Sequence, residues 1–245
     1  MKAMILAAGL GTRLKPFTNN TPKALVPILG TPVIEHVILK LKSQGFNEII
    51  INIHHFADQI INFIKSKKYF DIRIEFSDER EKLLDTGGAI KKASWFFDTD
   101  EPVLIHNADI ISDVDLSAVY ESHVQSKKLA TLVVNERETS RYLFFDQKNN
   151  LKGWINEKDG KVVSSSEFNP LTHKKLAFFG IHVLSKNAVS SMKDFPDKFS
   201  IISFYLSLCD SKSIGAYIAK DHYMVDVGKL TSLNKAEEFL RAQRS

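Results

Sequence analysis

The sequence predicts an α/β fold: a single Rossmann-like, three-layer α/β/α domain with a mostly parallel sheet and a β-rich insertion. Three observations carry that reading. Short apolar runs alternate with amphipathic helical stripes through residues 1–128. Near residue 129 the pattern changes to short strand-like segments separated by turn residues. No linker, repeat or low-complexity stretch divides the chain. Strand–helix alternation implies parallel pairing, because parallel neighbours need a crossover, and crossover helices cover the sheet faces.

The elements follow in order. Ala3–Ala7 is a short apolar run closing at Gly9, as a buried parallel strand does. Val33, Ile34, Val37, Ile38 and Leu41 form one helical stripe, and Gly45 marks its end. Glu48–Ile53 is rich in β-branched residues and reads as a strand. Phe56, Ile60, Ile61 and Ile64 give a second helix, and Ile72, Ile74 and Phe76 alternate as a strand. Gly87 and Gly88 precede a helix expected over Ala89–Phe97. A buried strand at Val103–His106 and a helix at Leu116–Val124 complete this part. The insertion holds strands at Ala130–Val134, Tyr142–Phe145, Leu151–Ile155 and Lys161–Ser164, with Lys148-Asn149-Asn150 and Lys158-Asp159-Gly160 as turns. An apolar strand at Leu176–Leu184, helices near Lys186–Met192 and Ile201–Cys209, a strand at Ile214–Ala219 and a helix at Leu230–Arg241 finish the chain.

Composition narrows the function classes. The 245 residues are 44% hydrophobic and 25% charged, ordinary values for a globular chain. The net charge is +4 without a dense Lys/Arg block, so no nucleic-acid partner is expected. No apolar run approaches the ~20 residues needed to span a bilayer, so no membrane partner is expected. The N-terminal apolar run is too short for a signal peptide and is broken by Gly9 and Gly11. The single cysteine, Cys209, lies in an apolar stretch, reads as a buried inert thiol and fits a reducing, cytoplasmic setting. His54, His55, His106 and His182 have no metal-ligand spacing, so zinc is not expected. Monomer and homo-oligomer both stay open.

The most informative stretch is Ala7-Ala8-Gly9-Leu10-Gly11-Thr12-Arg13, directly after the first strand. Glycines there let backbone N–H groups approach phosphate oxygens, and Arg13 adds a permanently charged fork suited to them. Pro22-Lys23 follows, bringing a second cation. Two other phosphate motifs fail. The dinucleotide fingerprint needs a third glycine where Leu14 stands, and the P-loop needs Gly-Lys-Ser/Thr where the chain reads Arg13-Leu14-Lys15.

Gly9-Leu10-Gly11-Thr12-Arg13, Pro16, Thr18 and Thr21-Pro22-Lys23-Ala24-Leu25-Val26-Pro27 together resemble the signature of the sugar-1-phosphate nucleotidyltransferases. Thr86-Gly87-Gly88 resembles that family's base-recognising loop, Asn107-Ala108-Asp109 its metal-binding strand end, Phe179-Gly180-Ile181 its sugar-pocket strand and Val225-Asp226-Val227-Gly228 its second metal-binding element. The resemblance covers the whole chain, and its details look closest to the N-acetylmuramate 1-phosphate uridylyltransferases and the short mannose-1-phosphate guanylyltransferases. It implies a GT-A-like fold, with one domain over 1–245 divided into a nucleotide-binding half (1–128) and a sugar-binding half (129–245).

The implied activity is transfer of a nucleoside monophosphate from a nucleoside triphosphate to a sugar 1-phosphate, with pyrophosphate released. UTP with N-acetylmuramate 1-phosphate is the expected pair. Guanylyl transfer to mannose 1-phosphate, a non-catalytic NDP-sugar-binding regulator, and cytidylyl transfer to a phosphorylated alcohol are the alternatives. The resemblance gives Arg13 the leaving β- and γ-phosphates and Lys23 the α-phosphate. It gives Mg²⁺ to Asp109 and Asp226, since Mg²⁺ takes few protein carboxylates and completes its shell with water and phosphate. Ala8, Gly9, Gly11, Thr12, Gly87, Gly88 and Asn107 join the nucleotide site. Asn107, Glu167 and Gly180 join the sugar site. Two departures stand out: Ala108 where the family often has glycine, and Lys229 where it often has threonine. The cation for the sugar phosphate stays open among Lys174, Lys175 and Arg141.

Overall fold

A computed structural model describes residues 1–243. Arg244 and Ser245, at the end of the expected domain, lie outside the described residues. In chain order the elements are β1 (Lys2–Leu6), β2 (Pro27–Ile28), β3 (Thr31–Pro32), α1 (Val33–Ser43), β4 (Glu48–Ile53), α2 (Ala57–Ser66), β5 (Arg73–Asp78) and α3 (Asp85–Lys92). They continue as β6 (Val103–Asn107), β7 (Ile110–Ser112), α4 (Leu116–Ser126), β8 (Ala130–Asn135), β9 (Arg141–Phe145), β10 (Leu151–Asn156) and β11 (Lys161–Ser164). The last are β12 (Lys174–Leu184), α5 (Lys186–Ser191), α6 (Ile201–Leu208), β13 (Ile214–Ile218), β14 (Met224–Asp226) and α7 (Leu230–Ala242).

The chain packs as two compact units. The first comprises Met1–Leu83, Ile105–Leu116 and His222–Ser245; the second comprises Leu84–Leu104 and Ser117–Asp221. These are not the halves expected at 1–128 and 129–245. Leu84–Leu104 packs with the second unit because the first-turn amides of α3 donate to Phe199 O, and Ser117–Lys128 does so through α4, where His123 Nδ1 hydrogen-bonds with Thr131 Oγ1 at 2.9 Å.

In the first unit β1 runs parallel to β4 and β4 parallel to β5, with Ile5 opposite Ile51 and Ile51 opposite Phe76. Ile49, Ile50 and Ile51 are fully buried, so β4 is covered on both faces, as a central parallel strand must be. The stripe Val33, Ile34, Val37, Ile38 and Leu41 is the buried face of α1. In the second unit β12 pairs antiparallel with β8 and β9, β10 pairs antiparallel with β9 and β11, and β13 runs parallel to β8. This mixed meander is the expected β-rich insertion, extended by β12 and β13.

Two expectations are corrected. The third helix starts at Asp85, so Gly87 and Gly88 lie in its first turn, not ahead of it. First-turn amides have no partner within their own helix; here those of Gly87 and Gly88 both donate to Phe199 O, at 2.9 and 3.2 Å. A Cβ on Gly88 would sit 2.0 Å from Asp197 O, so only glycine fits that packing. The other correction is the β7–β14 ladder, which the sequence reading lacks. Three-residue strands are too short to show a period.

Candidate active site

The site is built in the first unit, where β1 and β6 end. The main chain crosses between them as the Ala108 N–H donates to Leu6 O at 3.0 Å. The loop Ala7–Arg13 begins there. Gly11 adopts φ +64°, and a Cβ on it would come within 3.0 Å of Lys23 Cβ and Thr18 Cγ2. The bare glycine thus lets the Lys23 segment close against the loop. Thr18 Oγ1 donates to Gly11 O at 2.8 Å, and the Leu14 N–H donates to the same carbonyl at 2.9 Å, starting a 3-10 turn at Thr12–Leu14 that carries Arg13. Pro22, fixed at φ −64°, leads into a second 3-10 turn at Lys23–Leu25. A Cβ on Gly9 would meet nothing within 4 Å, so that face of the loop is open.

The β7–β14 ladder brings the acids together. Asp226 stands opposite Ile110, and the pairing runs one bond further as the Val227 N–H donates to Asp109 O at 2.8 Å. Lys23 Nζ forms an ion pair with Asp109 Oδ2 and lies 3.6 Å from Asp226 Oδ1. Arg13 reaches the same place: a Cβ on Gly228 would lie 2.7 Å from Asp226 Oδ1 and 3.1 Å from Arg13 Nη2. An apolar cluster of Leu14, Val26, Ile28, Val33, Ile111, Val225, Val227, Leu233 and Ala236 holds both turns, the ladder and α7 together beneath these charges. Each of its Val, Leu and Ile side chains adds about 1.5–3 kcal/mol when fully buried. The lysine side chain is only 13% exposed and the two acids 24% and 40%, so their interactions are less screened than at an open surface.

Arg13, Lys23, Asp109 and Asp226 therefore meet at one place, beside the loop that holds Ala8, Gly9, Gly11 and Thr12. Asn107 ends β6, two residues before Asp109. Its carbonyl accepts a hydrogen bond from His106 Nδ1 at 2.8 Å, and burial lowers the His106 pKa to about 4, keeping the ring neutral. The two carboxylates fit a hard divalent cation that takes most of its ligands from phosphate and water. No group of three or more His, Cys, Asp or Glu side chains that could hold a metal ion gathers among the described residues, so these two carboxylates are the protein's share of such a site.

The remaining predicted positions lie in the second unit. Gly87 and Gly88 are buried with their amides taken. Gly180 has φ +71° where the β12–β8 register shifts, a bulge that glycine accommodates without strain. Glu167 is exposed and pairs with Lys152. Of the candidate cations, Lys174 donates to Asn149 Oδ1 at 3.0 Å and Lys175 pairs with Glu157. One residue the sequence did not single out is Arg137, whose guanidinium lies 4.3 Å from the Phe179 ring centre, beside Gly180. Nothing in its local pattern marks it. Cys209 is buried, and burial pushes its thiol pKa up, consistent with an inert role.

Comparison with known proteins adds the family. The sequence matches the family model described as "Nucleotidyl transferase" over residues 2–243. It is 30% identical to the D-glycero-alpha-D-manno-heptose 1-phosphate guanylyltransferase of Campylobacter jejuni, over 93% of this chain and 95% of that one. It is 40% identical to the N-acetylmuramate alpha-1-phosphate uridylyltransferase of Caulobacter vibrioides, over 44% of this chain and 46% of that one. The match to the UTP–glucose-1-phosphate uridylyltransferase of Synechocystis spans only 37% of that protein. Among solved structures, HddC from Yersinia pseudotuberculosis complexed with GMP-PN superposes with a TM-score of 0.78 at 26% identity, covering 98% of this chain and 99% of that one. No helix among the described residues is long and apolar enough to cross a membrane.

Proposed function

Because the chain belongs to the nucleotidyl transferase family, and within it to the enzymes that join a sugar 1-phosphate to a nucleotide, we propose that it uses UTP and N-acetylmuramate 1-phosphate or a similar amino-sugar phosphate. The observation that carries the chemistry is the convergence of Lys23 and Arg13 on Asp109 and Asp226. A pure NDP-sugar binder has no use for two cations and two acids at one point. The choice of substrates is supported by the identity to the N-acetylmuramate enzyme, which locally exceeds that to the heptose enzyme. Guanylyl transfer to a heptose or mannose 1-phosphate is the second reading, favoured by the whole-length similarity to the heptose guanylyltransferase.

In this reaction a phosphate oxygen of the sugar 1-phosphate attacks the α-phosphorus in line. The bond from that phosphorus to the β-bridging oxygen breaks, and pyrophosphate leaves with the electron pair. Both reactants are anions, so catalysis rests on positioning and charge stabilisation, with no covalent intermediate. Lys23 stabilises the α-phosphate, Arg13 binds the departing phosphates, and the amides of the Ala8–Thr12 loop line the nucleotide. Asp109 and Asp226 would hold Mg²⁺, which supplies neutralisation between the phosphate oxygens when bound. Asn107, Glu167 and Gly180 are assigned to the sugar, with Arg137 joining Arg141 as a candidate for its phosphate. Gly87 and Gly88 keep a proposed place beside the base through atoms other than their amides. The division of labour between residues 1–128 and 129–245 is kept as a functional one, and the product fits a cytoplasmic cell-wall or polysaccharide precursor.

Pyrophosphate release over a matrix of four nucleoside triphosphates and several sugar 1-phosphates, with Mg²⁺, tests this. The expected result is highest turnover with UTP and N-acetylmuramate 1-phosphate. A preference for GTP favours the second reading, and no release with any pair overturns the enzyme assignment.

A further inference from the structure

Beside the loop after β1 lies a buried polar relay that none of the assigned roles uses. The β1–β4 ladder ends with Leu6 opposite Asn52, so Ala7 is the first residue of the loop without a strand partner there. Its N–H donates instead to Asn52 Oδ1 at 2.7 Å, and Asn52 Nδ2 donates to Glu79 Oε1 at 2.8 Å. Glu79 follows β5 directly, and its own N–H donates to Ile53 O at 2.8 Å. Asn52 and Glu79 are 3% and 1% exposed. The amide orientation follows from chemistry: a backbone N–H only donates, so it must face the Asn52 oxygen, which leaves the NH₂ for the carboxyl group.

We infer that Asn52, anchored by Glu79, is a positioning residue that fixes the first amide of the nucleotide loop and thereby sets affinity for the nucleoside triphosphate. The inference rests on the proposed function. Neither side chain is exposed enough to offer a ligand much surface, so both act through Ala7. A lone asparagine inside the β-branched run Glu48–Ile53 is costly to bury unless its hydrogen bonds are all made, and here it links three successive strand ends. Fixing the loop helps the bound substrate and the transition state alike. Its loss therefore raises KM for the nucleotide while sparing kcat.

The test compares Asn52→Ala, Glu79→Ala and Glu79→Gln with the full-length wild type. Hydrogen exchange over a peptide spanning Leu6–Gly11 reads the relay in the absence of substrate. Steady-state kinetics use the nucleotide and sugar phosphate that wild type turns over best. Asn52→Ala and Glu79→Ala should speed exchange and raise the nucleotide KM about tenfold, leaving the sugar-phosphate KM within twofold. Glu79→Gln keeps an acceptor oxygen for Asn52 and should stay near wild type in both readouts. Ile38→Ala, a core truncation in α1 that removes none of the relay's hydrogen bonds, controls for general loss of stability and should leave the nucleotide KM unchanged. Unchanged exchange in Asn52→Ala overturns the inference. So does faster exchange with a normal nucleotide KM, or an equal KM rise in Ile38→Ala. Wild type that turns over no substrate pair instead sinks the proposed function on which the inference rests.

Discussion

The two units solve different problems with different backbones. The first uses parallel strands that all deliver their carboxyl ends to one edge, where short loops carry Arg13, Lys23 and Asp109, and a short ladder adds Asp226. The second combines a mixed meander with helices, and its predicted positions are occupied with its own packing: Gly87 and Gly88 of α3 hold Phe199, and Glu167 pairs with Lys152. Glycines show the contrast best. At Gly228 the missing Cβ makes room for charged groups, Asp226 and Arg13; at Gly88 it makes room for the backbone of Asp197. At these two positions the bare glycine gives room to charge in the first unit and to main-chain packing in the second.

That contrast can be broken from either side. The largest expected effect is on Lys23→Ala, which should lower turnover by ~10²-fold or more with the fold intact, the scale of losing one strong charge-stabilising donor. Near-normal kcat would refute the assignment. Asp226→Asn should lower turnover comparably and raise the Mg²⁺ concentration needed for half-maximal rate, measured by metal titration. The paired alanines come next. Gly88→Ala should cost roughly 1–3 kcal/mol of stability by overpacking, seen as a lower denaturation midpoint, with kcat retained. Gly228→Ala should do the reverse, cutting kcat about tenfold with little change in midpoint. Similar responses from the two would erase the distinction.

Acid should loosen both units through one histidine each. Burial lowers the pKa values of His106 and His123 to about 4. Both are therefore neutral in the folded chain at pH values where the unfolded chain already takes up protons. Stability is complete above about pH 6.5 and falls as pH drops from there toward 4, by roughly 3 kcal/mol per ring at full effect. Denaturant titrations at pH 7 and pH 5 check this, and His123→Asn should flatten the dependence. The smallest effect is on Glu167→Gln. It removes an exposed ion pair and should change the unfolding free energy by less than about 1 kcal/mol, leaving the sugar-phosphate KM as the readout of its proposed sugar contact.

Most strands and helices were legible because their periods are long enough to read, as in the stripe Val33–Leu41 or the run Glu48–Ile53. The grouping of Arg13, Lys23, Asp109 and Asp226 was legible through the family resemblance, and the structure gives a physical reason for the first spacing: Gly11 must be bare for Lys23 to close, and Pro22 leads into the turn that carries it. What escaped was tertiary. Ile110–Ser112 and Met224–Asp226 are too short to announce a ladder, and Arg137 takes its place over Phe179 only when the meander folds. Asn52 left a trace, a polar residue in an apolar run, but its partner Glu79 lies 27 positions away. The start of α3 was misplaced because two glycines usually break a helix, whereas here Phe199 gives their amides a reason to be in its first turn.

The β7–β14 ladder also has a consequence in time. It joins an acid at position 109 to one at position 226, so synthesis from the N-terminus delivers the cations and the first carboxylate long before the second. A nascent chain that has passed Asp109 holds half of its acid pair until the strand at Met224–Asp226 has left the ribosome and zipped onto its partner. Under the metal-holding role proposed for Asp226, catalytic competence arrives late, and turnover gauges whether translation has run through to that short strand.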